Sequence, residues 1–188
     1  LDVMFQLRCE QKRLAWQVEA PEVDRLPVHG DEAKLTQVLI NLLGNAVKFT
    51  DEGSVSLKVV ALEEDRYCFE VIDTGPGIPS EVRASIFEPF HQTETGVQKG
   101  GTGLGLPIAQ KLLGLMDGRL DLVSIPGEGS HFSFTVSLPP AEAGAVASSV
   151  ERWPEVIHLA EGCRVSALVA DDVLENREVL SKILAGIG

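Results

Sequence analysis

From Glu32 to Phe49 the sequence keeps a helical period without a break, opened by Asp31 as an N-cap and closed by the turn residues Thr50, Asp51, Glu52 and Gly53. At about 100° per residue, Leu35, Val38, Leu39, Leu42, Leu43, Ala46 and Phe49 fill one half of this helix. Gln37, Asn41, Asn45 and Lys48 fall within an arc of about 80° on the other. The apolar half demands a second layer to cover it. The polar stripe is unusual in kind. A solvated face favours Glu, Lys and Arg, whereas mid-helix Asn costs roughly half a kcal/mol relative to Ala. Two Asn one turn apart therefore suggest a use: side-chain amide oxygens suit a hard cation such as Mg²⁺, and a Lys one turn further on can reach phosphate oxygens. On spacing alone, a ligand-binding stripe and a plain solvated face both stand.

The rest of the chain says what covers the apolar half. Leu14 to Val18 forms a short edge strand at the end of a mixed apolar and charged stretch. Val55 to Ala61 and Tyr67 to Ile72 alternate apolar and polar residues around the charged loop 63–66, and predict an antiparallel hairpin. Asp73 to Gly103 is rich in Gly, Pro, Thr and Gln, with a short amphipathic segment over Val82 to Phe87, and reads as a long functional loop. A second helix is expected over Leu104 to Met116, with Pro107 tolerated in its first turn and Gly118 just past its end. A second hairpin joins Arg119–Ile125 to His131–Leu138 through 126–129, with Phe132, Phe134, Val136 and Leu138 on one face. Hairpins mixed with helices, rather than strands alternating with crossover helices, give an α+β fold of one sheet and one helical layer. The domain spans 1–138. A linker over 139–163, rich in Ala, Ser and Gly from Pro139 to Val150, precedes a second segment at 164–188: a strand at Val165 to Ala170, the pair Asp171 and Asp172, and a helix over Val173 to Leu184.

Composition excludes several functions. A formal net charge of −12 leaves no basic surface for nucleic acid. No apolar run approaches the roughly 20 residues of a membrane span, and charges interrupt the N-terminus before any secretory core develops, so a cytoplasmic setting without membrane contact is expected. Cys9, Cys68 and Cys163 are odd in number and far apart, which argues against both a disulfide framework and a zinc site. An acidic chain can still bind phosphate locally, through backbone amides, a metal ion and one or two placed cations.

Two glycine segments are candidates for that task. Asp73-Thr74-Gly75-Pro76-Gly77 follows a strand, so the carboxylate of Asp73 sits at a sheet edge where it can accept a hydrogen bond from an exocyclic amine such as that of adenine. An ordinary Asp-Gly turn has the same sequence. Gly100-Gly101-Thr102-Gly103-Leu104-Gly105-Leu106 runs into a helix N-terminus, an anion site by its free N–H groups and dipole, yet it matches neither established phosphate loop and could be a hinge.

Taken together and in this order, four segments resemble the ATP-binding (HATPase, GHKL-type) domain of sensor histidine kinases, part of the wider family that includes gyrase B, MutL and a heat-shock chaperone. NLLGNAVKFT at 41–50 resembles its N box, DTGPGIP at 73–79 its first glycine box, IFEPFHQ at 86–92 its F box, and GGTGLGLPIAQKLLGLMDG at 100–118 its second glycine box. The resemblance covers residues 1–138. It implies a two-layer α/β sandwich of the Bergerat ATP-binding type, a mixed sheet packed on helices with a long ATP lid, and ATP and Mg²⁺ as ligands. By it Asn45 would ligate Mg²⁺, Asn41 would lie beside the metal and γ-phosphate, Lys48 would contact phosphate and Asp73 would bind the adenine amine. Gly75, Gly77 and Ile78 would shape the base pocket, and Gly101, Thr102, Gly103, Leu104, Gly105 and Leu106 would line the phosphate side. The segment between Pro79 and Gly100 would be the lid, steadied by Phe87 and Phe90. Asn41, Lys48 and Thr102 are the catalytic candidates. Where the ATP-hydrolysing branches carry a glutamate base this chain has Asn41, which takes no proton from water at neutral pH, so phosphotransfer is expected in place of hydrolysis.

The resemblance implies an acceptor histidine in a helical dimerisation domain, within a segment like HExRTPL. His29, His91, His131 and His158 lie in other contexts, so the acceptor is expected upstream of Leu1, on a parent that is a homodimer. RVSALVADDVLENREVLSKILAGIG at 164–188 resembles the first strand and helix of a response-regulator receiver, which would make Asp171 and Asp172 Mg²⁺ ligands and the parent a hybrid kinase; Asp172 with Glu175 also reads as a helix capping box. A receiver or response regulator is the implied downstream partner. Without the strand that carries the phosphoacceptor aspartate, this piece is not expected to work as a receiver. A nucleotide-sensing module without phosphotransfer is the alternative function.

Overall fold

The computed structural model describes residues 1–21, 27–92, 96–97, 99–141, 166–169, 181 and 184. The chain divides into two units, Leu1–Ala143 and Gly144–Gly188. The first is built from helix α1 (Asp2–Lys12), strand β1 (Ala15–Glu19), helix α2 (Glu32–Phe49), strands β2 (Ser54–Ala61) and β3 (Arg66–Asp73), helix α3 (Gly105–Gly114) and strands β4 (Arg119–Ile125) and β5 (Gly129–Ser137). Two short 3₁₀ turns, Ser80–Val82 and Ser85–Phe87, lie between β3 and α3.

The strands form one mixed sheet in the order β1-β2-β3-β5-β4. β1 runs parallel to β2, and the other pairs are antiparallel. The α+β expectation and both hairpins hold, as does the edge position of β1. One connection differs from that reading: β1 reaches its parallel neighbour through α2, a crossover helix, because parallel strands cannot be joined by a tight turn.

Period-2 alternation decides which side of the sheet meets the helices. Leu57, Val71 and Phe132 are register partners on that side, as are Phe69 and Phe134, whose rings stack at 5.0 Å with 8° between planes. Against them α2 buries Val38, Leu39, Leu42, Leu43, Ala46 and Val47, and α3 buries Ala109 and Leu113. The side chain of Asp31 caps α2 by accepting from the Lys34 amide at 2.9 Å. Helix α1, which the sequence did not announce, tucks Phe5 and Cys9 under the same layer.

In the second unit, residues 166–169 of the expected 165–170 strand carry no strand structure, and Leu168 is 94% exposed. An apolar run becomes a strand only when a partner completes its hydrogen-bond ladder, and no described residue does so. Ser181 and Leu184 are helical, while Asp171 and Asp172 lie outside the described residues. Among the described residues no helix is long and apolar enough to cross a membrane.

Candidate functional site

The site begins where the core-facing side of the sheet turns polar. Asp73 continues the alternation of Phe69 and Val71, so its carboxylate enters the layer between sheet and helices rather than solvent. It pairs in register with Val55 on one side and Ser130 on the other, and Ser130 pairs with Ser124. Asp73, Ser124 and Ser130 are all buried. Asp73 Oδ1 accepts from the Gly75 amide at 2.9 Å. Burial pushes its carboxyl above the ordinary range, against the opposing pull of backbone hydrogen bonds from Gly75 and Ser130. A carboxylate turned inward beside Gly75 can accept a hydrogen bond from an N–H donor.

The two glycines of this segment are forced. Gly77 has φ +70°, and a side chain there would run into the carbonyl of Ile125. A β-carbon on Gly75 would lie 2.9 Å from Asp73 Oδ1, 3.1 Å from Thr50 Oγ1 and 3.5 Å from the Phe49 carbonyl oxygen. Gly75 thus lets the chain pass close to Asp73 and the end of α2. Ser124 secures the next residue: its hydroxyl accepts from the Ile78 amide at 2.8 Å and donates to the Gly129 carbonyl at 2.9 Å. Arg83 donates to the carbonyls of Ile78 and Ser124.

The second glycine segment meets the polar stripe of α2. A β-carbon on Gly105 would lie 3.8 Å from Asn45 Nδ2 and 3.9 Å from Asn41 Cβ and Cγ. One on Gly101 would lie 3.2 Å from Lys48 Nζ. Gly103, at φ +70°, backs onto Phe90 and His91, and the Phe90 amide donates to its carbonyl at 3.0 Å. The run ends at the start of α3, where Leu104 is the N-cap and, among the described residues, no side chain caps the helix. Its first N–H groups and positive dipole end remain available to an anion. α2 is therefore the shared wall of the site. Asn41 and Asn45 face Gly105, Lys48 faces Gly101, and Phe49 and Thr50 face Gly75.

These residues fit a nucleotide triphosphate by their unmet demands. Among the described residues Asn41 Nδ2 and Thr50 Oγ1 are buried polar atoms without a hydrogen-bond partner, while Asn41 Oδ1 accepts from Gln37 at 3.2 Å. Buried donors left unpaired are costly and mark a place where a ligand or water completes the bonding.

Residues 30–140 match the family described as histidine kinase-, DNA gyrase B- and HSP90-like ATPases. The chain belongs to this family. It is similar to the sensor histidine kinase RcsC of Escherichia coli K12, 46% identical over 117 residues that cover 61% of this chain and 12% of that protein. It is also similar to the sensory/regulatory protein RpfC of Xanthomonas campestris pv. campestris, 34% identical over an alignment covering 100% of this chain and 30% of that one. The chain thus spans well under half the length of these relatives. Among solved structures, full-length ShkA in complex with AMPPNP superposes with a TM-score of 0.64 at 38% identity, covering 76% of this chain and 29% of that one. The catalytic domain of histidine kinase ThkA gives 0.62 at 28% identity, covering 73% of this chain and 89% of that one.

Within this ATPase-like domain, most of the residues expected from sequence at the site fall into three groups, with Leu104 already placed as the N-cap of α3. Asn41, Asn45, Lys48, Asp73, Gly75, Gly77, Gly101, Gly103 and Gly105 line or shape it. Ile78, Phe87 and Leu106 pack against the core and support it. Thr102 is exposed at the mouth, its hydroxyl accepting weakly from the Leu104 amide at 3.4 Å. Phe90 departs from the expectation that it steadies the lid: it is 74% exposed and has φ +65°, because the chain must bend there for its amide to reach Gly103. Phe87, by contrast, is partly buried and packs against the core. Sequence reasoning passed over Thr50, Lys12 and Lys99. Lys12 Nζ donates to the carbonyls of Val47 at 2.8 Å and Thr50 at 2.8 Å, closing the end of α2 from the α1 side. Only the expectation that helix ends need cations could have found it.

Proposed function

We propose that this chain is the ATP-binding catalytic domain of a hybrid sensor histidine kinase and presents the γ-phosphate of ATP to a histidine carried on a dimerisation domain. The reading rests on one observation: a single helix faces both glycine segments, so base and phosphates can be held along one wall. The carboxylate of Asp73 would accept from the adenine amine, with Gly75 and Gly77 giving the flat base room. Lys48 and backbone amides between Thr102 and Gly105 would hold the phosphates, where directed N–H donors stabilise negative charge. Asn45 would ligate a magnesium ion carried with ATP, which supplies charge neutralisation at the phosphates, and Asn41 would lie beside the metal and the γ-phosphate. Because Asn41 cannot act as a base, water is not activated and the phosphoryl group is conserved for a protein acceptor. Phe87 would anchor the loop that excludes water from the bound nucleotide.

Residues 139–163 act as a linker in this proposal, and 164–188 as the opening of a receiver, with Asp171 and Asp172 as its Mg²⁺ ligands. The partners are then a homodimeric histidine-containing domain and a receiver, in the cytoplasm. The test is transfer in trans. The helical histidine domain of the parent, mixed with this chain and γ-labelled ATP, is expected to gain acid-labile, base-stable label. Tight ATP binding with no label on the histidine domain would instead assign a sensing module without phosphotransfer, and rapid release of free phosphate would assign an ATPase.

A further inference from the structure

Lys99 stands immediately before the glycine run, yet its ammonium does not point along it. Nζ donates to Asp51 Oδ1 at 2.7 Å and Oδ2 at 2.9 Å, and to the carbonyls of Lys48 at 3.2 Å and Phe49 at 3.5 Å. These are the open carbonyls at the C-terminal end of α2, the negative pole of the helix, with a carboxylate added just beyond it. Asp51 is unfavourable there unless cations join it. Lys12 reaches it from α1 at 3.4 Å and Lys99 from the glycine side. The two ammonium groups hold the Asp51 carboxyl below its ordinary range, Lys99 having the larger effect.

The consequence is a closed ring of contacts through one residue. The backbone of Lys48 accepts from Lys99; two residues after Lys99, Gly101 lies against the side-chain ammonium of Lys48. Gly100, at φ +68°, makes the bend between them, and the Gly101 amide donates to the Gly96 carbonyl at 2.9 Å. We propose that Lys99 is a positioning residue: clasping Asp51 and the last carbonyls of α2, it fixes the start of the glycine run opposite Lys48 and so sets the phosphate half of the site. This rests on the nucleotide-site reading above and adds to it a residue whose ammonium is engaged by Asp51 and the end of α2. Lys99 acts on phosphate affinity through the loop it tethers, since a loop already ordered loses less entropy on binding.

The experiment compares binding of magnesium AMPPNP and of adenosine to the full chain and to K99M, K99R, D51N and the K99M/D51N pair. K99M and D51N are each expected to weaken AMPPNP about five-fold, the upper range for a partly exposed ion pair, and to leave adenosine unchanged. The double variant is expected to be no weaker than either single one, and K99R to restore most of the affinity. Unaltered AMPPNP affinity in K99M overturns the proposal. So does tighter AMPPNP binding in D51N, since a Lys99 released from Asp51 would then be a direct phosphate ligand. Parallel loss of adenosine binding, or failure of K99R to restore affinity, also overturns it by exposing a general packing role. If the unaltered chain binds AMPPNP no better than adenosine, the underlying assignment of the phosphate site fails instead.

Discussion

Asp73 carries two opposed demands in a single side chain. Alternation along β3 places it inward, where burial raises its pKa, and the same burial makes it selective for a directed N–H donor. A carboxyl whose folded pKa lies above its unfolded value favours the fold when protonated, and that contribution is lost as pH rises through the raised value. At neutral pH the ionised form is therefore a cost to stability. Asp73→Asn keeps an oxygen for the Gly75 amide and removes the charge. It is expected to raise the melting temperature at pH 7 while weakening ATP roughly ten- to a hundred-fold, the scale of a hydrogen bond to a charged group, with GTP much less affected. Calorimetry and nucleotide titration check the two halves separately. In the unaltered chain adenine affinity should fall on acidification at a higher pH than an ordinary carboxylate would dictate. That Asn41, Asn45 and Lys48 share one stripe was legible from their spacing, while a ligand role for it came only with the resemblance of the four boxes. Thr50, Lys12 and Lys99 were not legible, since each finds its role in a contact with residues distant in sequence.

The same contrast holds among elements. α2 announced itself through period, cap and stop, and the hairpins through alternation, because those signals are local. α1 gave little: its N-cap Leu1 makes no side-chain cap, and only Phe5 and Cys9, one turn apart, are buried among charged neighbours. Tertiary packing makes it a helix, and local propensity alone would not. The parallel pairing of β1 with β2 was hidden for a related reason, since a long connection through α2 leaves no turn signature. The stacked pair Phe69 and Phe134 lies at the centre of the helix-facing side of the sheet. Phe134→Ala should cost about 3–5 kcal/mol of unfolding free energy, measured in urea. A loss below about 1 kcal/mol would mean that the core is not organised around this pair.

At the scale of the molecule, one helix serves as core and as active wall together. The apolar half of α2 closes the sandwich, its polar stripe faces Gly105 and Gly101, and its C-terminal end meets Gly75, so the proposed ligand contacts run in order along 41 to 50. Asn45 sits between the two ends of that wall. Asn45→Ala is expected to abolish magnesium-dependent tightening of ATP binding, read by titration with and without a chelator, and unchanged affinity would remove it from the metal site. The shared wall itself is tested most directly by titrating the labelled chain with magnesium AMPPNP and following backbone and Asn side-chain amides by NMR. Signals from Asn41, Asn45, Gly75, Gly77, Gly101, Gly103 and Gly105 are predicted to shift together with one common midpoint. Shifts confined to one glycine segment, or segments responding at different midpoints, would contradict a single slot lined by α2.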